Sequence, residues 1–258
     1  MWPYWALFLI PAIGVFAPER LNPRSRRVAW LAVVVVFAAV IGLRHEVGGD
    51  WATYLEHQRI SRGLSFMGAL TFGDPGYYLV NWLSAQVGGG IYLVNLVCGA
   101  VVTAGVVLFA KRQPNPWLAL LIAVPYLLIV VAMGYTRQSA ALGFVLIALT
   151  ALGEGHVRRF VAWMLVAALF HKTAVLLLPV AALAATRQRI WVWFWVLVTT
   201  GTAAILLLLE KSMAMWENYV LAEMQSQGGL IRVAMNAVPA LIFLVVRNRL
   251  QLGPAQRM

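Results

Sequence analysis

Charge is scarce in this chain, and acidic charge scarcest. Of 258 residues only 11% are charged, with nine Asp and Glu against 20 Lys and Arg. A water-soluble domain ordinarily carries about a quarter charged residues, so a soluble globular surface is excluded. Cysteine is nearly absent: Cys98 stands alone inside an apolar run, which excludes an internal disulfide and a multi-thiolate metal site. The four histidines fall at no spacing suited to metal ligation, and neither metal nor cofactor is expected. Internal repeats, low-complexity tracts and long polar stretches are also missing, so residues 1–258 are expected to form one membrane domain. The apolar stretch from Trp2 to Ala17 lacks the basic residues that precede a cleaved signal peptide, and is read as a retained helix.

Hydrocarbon is what the chain has in abundance. Hydrophobic residues make up 62% of it and mean hydropathy is +0.81, the composition of an all-α, polytopic membrane protein. A spanning helix needs about 20 apolar residues. Apolar runs at roughly 2–17, 28–43, 77–110, 117–134, 138–153, 157–170, 173–185, 190–209 and 230–246 predict nine transmembrane helices, some of them short.

The basic excess sorts by side of the membrane. With every second connection on one side, that side holds Arg20, Arg24, Arg26, Arg27, Lys111, Arg112, Arg158, Arg159, Arg187, Arg189, Arg247, Arg249 and Arg257, opposed only by Glu19 and Glu154. The other side has seven basic and seven acidic residues. The positive-inside rule then predicts an N-terminus outside and a C-terminus in the cytoplasm. Topology absorbs the net charge of +11, and no basic-aromatic pattern is left to indicate nucleic acid.

This sorting requires the chain to turn within ALFHKTAVLLLP, at His171 and Lys172. The arms 157–170 and 173–185 are then 14 and 13 residues, near 20 Å at about 1.5 Å per residue, against about 30 Å of hydrocarbon. Their junction should sit below the outer surface. Arg137 occupies a comparable outward turn between the runs 117–134 and 138–153. Ionisable groups at such depth face protein or a watery cavity, so Arg137, His171 and Lys172 are expected to line one outward-facing pit. No acid lies near Arg137 in sequence, which asks for an anionic ligand.

Residues 44–76 form the main outer loop. Gly48 and Gly49 end the preceding helix, Asp50 caps a new one, and Trp51, Tyr54 and Leu55 share a face, predicting an amphipathic helix at the interface. Asp74 before Pro75 reads as a second helix cap. Gly88, Gly89 and Gly90 should divide the run 77–110, with the true span starting near Ile91. His45 and His57 read as solvated loop residues.

In order, Arg44 with GGDWATY, then DPGYYLVN, YTRQSAALGF and ALFHKTAVLLLP resemble the EpsG family of Wzy-like exopolysaccharide polymerases. The resemblance implies a helical bundle, with a GT-C-like arrangement within its range. It also implies transfer of a polyprenyl-diphosphate-linked glycan to a hydroxyl of another lipid-linked repeat, outside the inner membrane. Implied partners are that lipid-linked oligosaccharide, membrane lipid and polysaccharide-assembly proteins such as a chain-length regulator, a flippase and export components. A diphosphate leaving group needs fixed cations, best supplied by arginine, and the attacking hydroxyl needs a proton acceptor. On this reading Arg44, Arg137 and Lys172 hold the diphosphate, His171 or Asp50 is the base, and Tyr54, Tyr77 and Gln138 bind sugars. Duller roles compete: Asp50 as a cap only, Lys172 snorkelling to the interface, and His171 as a neutral buried imidazole. A flippase or transporter of lipid-linked sugars, a polysaccharide acyltransferase and a membrane scaffold stay open beside the polymerase.

Overall fold

The computed structural model describes residues 2–16, 22–177 and 229–246, together with Phe194, Leu197, Val198 and Gly201. The chain divides into two units, Met1–Ala185 and Thr186–Met258. In the first, α1 (Trp2–Phe16) precedes α2 (Pro23–Gly42), whose start is set by Asn22: its side chain accepts the Ser25 N–H at 2.8 Å, and Pro23 occupies the first turn. Three shorter helices follow, α3 (Trp51–Gly63), α4 (Phe66–Thr71) and α5 (Pro75–Gln86). Then come α6 (Gly90–Ala110), α7 (Pro116–Gly134), α8 (Thr136–Gly153) and α9 (Val157–Phe170). In the second unit the described helix is α10 (Gly229–Val246).

Among the described residues, four helices are long and apolar enough to cross a membrane: α2, α6, α7 and α8. Nine spans were expected. The helices α1 and α9, with 15 and 14 residues, reach only about 21–23 Å at 1.5 Å per residue. The expected spans 173–185 and 190–209 lie largely outside the described residues, apart from a 3-10 segment at Lys172–Leu177 and the helical residues Phe194, Leu197, Val198 and Gly201.

Two sequence breaks fall where expected. The backbone φ angles of Gly88 (+71°) and Gly90 (+58°) lie where only glycine is at ease, so α5 ends at Gln86 and the long span begins at Gly90. Likewise α9 stops at Phe170, and His171 is extended (φ −158°, ψ 115°) before the 3-10 turn. In α7 the backbone is less regular than its apolar run implies. Pro125 has no N–H to give the preceding turn, and Val124–Val131 is wound as π-helix between α-helical ends.

The central helix is α6, packed against α2 and α8. Its small residues let backbones approach: a Cβ on Gly143 would stand 2.7 Å from the Val101 carbonyl oxygen, and Gly105 meets the Gly143 backbone from the other side. One core cluster joins α1, α2, α6 and α7 through Leu7, Phe37, Ile41, Val102, Leu120 and Leu128. A second joins α3, α5, α6, α8 and α9 through Tyr54, Tyr77, Val94, Ala140, Phe160 and Phe170.

Among the described residues, several basic side chains gather at one end of this bundle. Arg26, Arg27 and Lys111 line one cavity of about 330 Å³ between the start of α2 and the end of α6, and Arg112 pairs with Glu154 at the end of α8. The opposite end carries Arg44, Asn95, Thr136 and the loop helices α3 to α5.

Candidate functional site

At that opposite end, α3 is placed by a polar face. Tyr54, Gln58 and Ser61, spaced i, i+4 and i+7, are its buried residues, whereas Leu55 is 43% exposed. Of the three residues expected to share one face, Tyr54 is thus turned inward and Leu55 outward. This helix lies against α5 and α6 and covers hydroxyl, amide and imidazole groups. Gln58 Nε2, Tyr77 OH and Asn81 Oδ1 are buried there without a hydrogen-bond partner, leaving polar capacity in the wall of the site.

The centre is an ion pair. Arg137 Nη1 donates to Asp74 Oδ2 at 3.0 Å, with the carboxylate side chain 8% exposed and the guanidinium side chain 31% exposed. Two expectations change here. Arg137 is not without an acidic partner, because one arrives from 63 residues away. Asp74, expected to cap α5, makes no side-chain cap bond; its carboxylate is turned to Arg137. The Arg137 Cζ also stands 5.8 Å from the centre of the Tyr77 ring. Close approach of α5 to α9 sets this geometry: a Cβ on Gly76 would come within 3.0 Å of the Phe170 ring.

His57 completes the cluster, contrary to its reading as a solvated loop residue. Its ring lies 5.9 Å from Tyr54, 5.9 Å from Tyr77 and 5.5 Å from Tyr78. Burial, then the Arg137 charge, hold its pKa below the usual histidine value, with Asp74, Glu56 and Asp50 opposing. The Tyr54 hydroxyl is pushed up by burial and by Asp50, against Arg137. Burial likewise raises Tyr77 and Tyr78. Asp50 stands at the start of α3 without a side-chain cap bond, so its carboxylate acts on this cluster through its field.

The single pit expected for Arg137, His171 and Lys172 is divided. His171 and Gln138 line a cavity of about 320 Å³ with Ala141, Leu142 and Val145 of α8 and Thr173, Ala174 and Leu177 beyond the turn. Arg137, the neighbour of Gln138, faces Asp74 and Tyr77 instead. Lys172 is exposed and does not line that cavity. Three of the expected substrate contacts are buried, although Arg44 also borders a cavity of about 470 Å³ with Tyr4, Leu43 and Met133. Arg44 is 6% exposed, Tyr54 3% and Tyr77 0%. Arg44 donates from Nη1 to the Ile41 carbonyl (2.7 Å) and from Nη2 to Asn95 Oδ1 (3.3 Å) and Thr136 Oγ1 (2.6 Å), so it ties α2, α6 and α8 together. Tyr54 and Tyr77 are walls behind the charged groups. The sequence signal that could have found His57 is its place on the Tyr54–Gln58–Ser61 side of α3, six residues from Trp51.

Fold and site together define a protein that, among the described residues, is helical with four helices apolar and long enough to cross a membrane, and whose polar centre is at one end of the bundle, opposite a basic cluster. The chain belongs to the EpsG family, whose model it matches over residues 27–257, and this membership points to an exopolysaccharide-related polymerase. No curated protein and no solved structure matches it.

Proposed function

We propose that this protein is a polysaccharide polymerase that transfers a glycan from polyprenyl diphosphate to a hydroxyl of an acceptor lipid-linked repeat. On this reading the chain makes nine spans in the inner membrane, N-terminus outside and C-terminus in the cytoplasm, so that the Arg137 end faces outward. The single observation that carries the proposal is the partly exposed Arg137, held by Asp74 beside an imidazole and three phenol rings. The ion pair uses one Nη1 contact and Tyr54 draws a further hydrogen bond, and the donors of this planar group that stay open suit the oxygens of a departing diphosphate. Asp74 fixes the fork; it does not touch the anion. His171 and Gln138, lining the neighbouring cavity, hydrogen-bond sugar hydroxyls. Asp50 contributes a negative field near the incoming hydroxyl. Lipid-linked oligosaccharide and membrane lipid are the partners this chemistry requires, with chain-length, flippase and export proteins beside it in the cell.

The test is polymer length in cells carrying Arg137→Gln or Asp74→Asn at normal membrane levels. Loss of long polymer with accumulation of single lipid-linked repeats is expected. Normal polymer in both variants overturns the site, and unchanged length with altered acylation redirects the assignment to an acyltransferase.

A further inference from the structure

We propose that His57 takes the proton from the attacking sugar hydroxyl, a role that rests on the polymerase reading above and that neither His171 nor Asp50 fills. His57 and Arg137 share one ring: the imidazole meets Tyr77 edge-on (74°) at 5.9 Å, and the guanidinium stands 5.8 Å from the same centroid. Base and cation thus border the same ring, and the Arg137 charge acts on His57, whereas His171 lines the cavity beside Gln138. Tyr54 and Tyr78 confine the imidazole from two further sides. Nδ1 is buried without a hydrogen-bond partner, which leaves Nε2 as the nitrogen a substrate reaches in this half-buried ring.

The charged and titratable groups around His57 agree with a neutral base. Arg137 of α8 disfavours the imidazolium, as does burial, while Asp74 before α5 and Glu56 and Asp50 of the α3 segment partly offset them. Asp74 itself is a poorer acceptor, because its Oδ2 is already bound by Arg137. In the step, the acceptor hydroxyl oxygen bonds to the anomeric carbon as the bond from that carbon to the diphosphate oxygen breaks. The hydroxyl proton moves to His57 Nε2, and the electron pair leaves on the diphosphate beside Arg137. The imidazolium then returns its proton to solvent or to the released diphosphate.

The test uses the full-length protein in lipid nanodiscs with a polyprenyl-diphosphate-linked repeat unit. His57→Gln keeps polar bulk but takes no proton at neutral pH; kcat should fall about 10²- to 10³-fold with KM changed less than about threefold. His57→Ala should regain part of its rate with added imidazole, which a merely structural role would not produce. The wild-type acid limb should lie below the ordinary histidine value and vanish in His57→Gln. Wild-type polymerisation with a His57→Gln rate within about threefold, or an acid limb that survives His57→Gln and is lost in His171→Gln, overturns the assignment alone. Failure of the wild-type protein to polymerise overturns the polymerase reading and this role with it.

Discussion

Two arginines at the same end of the bundle have opposite circumstances. Arg44 is 6% exposed and gives its hydrogen bonds to neutral oxygens of α2, α6 and α8; among the described residues it meets no carboxylate. Arg137, next in sequence to Arg44's partner Thr136, is partly open, with its side chain 31% exposed, and holds a carboxylate. Burial draws the Arg44 pKa down, the cost of withdrawing a cation from water. The two differ in access more than in residue type. The Arg44 guanidinium spends both terminal nitrogens inside the fold and keeps only a buried Nε unpaired, beside a cavity of about 470 Å³, whereas Arg137 keeps part of its fork exposed.

The contrast breaks most readily at Arg44. Arg44→Met leaves Asn95 and Thr136 without their charged donor and should cost roughly 1–3 kcal/mol, seen as a lowered melting temperature in detergent. Arg137→Lys keeps a charge for Asp74 and should melt within about 2 °C of wild type, yet lose activity about 10²-fold, because a point charge replaces a fork. Equal folding defects in both variants would erase the distinction. Between the two in character is Gly105→Val, which drives a side chain into the Gly143 backbone and should cost roughly 1–3 kcal/mol in thermal unfolding without a specific effect on KM.

Asp74→Asn sharpens the comparison further. It keeps a hydrogen bond to Arg137 but removes the charge, and about a tenfold loss of kcat is expected from a looser fork. The smallest effect is pH-linked stability at His57. Its folded pKa is depressed, so below the unfolded value near 6.5 the unfolded chain binds the proton first. The stability associated with neutral His57 is therefore complete above about pH 6.5 and is lost as pH falls through the folded pKa. Melting at pH 7 and pH 5.5 should show a drop for wild type that is smaller for His57→Gln; identical drops would place the titration elsewhere.

Residues local to one another carried most of the fold. Hydropathy marked α2, α6, α7 and α8, glycine marked the break before α6, and the polar pair at 171–172 marked the end of α9. The winding of α7 escaped because Pro125 sits inside an otherwise uniform apolar run. The site was legible as residue types without their pairings: Asp74 looked like a cap, Arg137 like an unpaired cation, and His57 like solvated loop.

What the chain determined by itself is where backbone runs helical through an apolar medium and which connections carry positive charge, since hydrogen bonding and transfer from water act residue by residue along the sequence. Which arginine became a strut and which stayed open was decided only when α8 met α6 on one face and the start of α5 on another. Thr136 and Arg137 are adjacent in the chain but about 100° apart around a helix, so neighbouring side chains find different partners. Those partners, Asn95 and Asp74, lie 41 and 63 residues away.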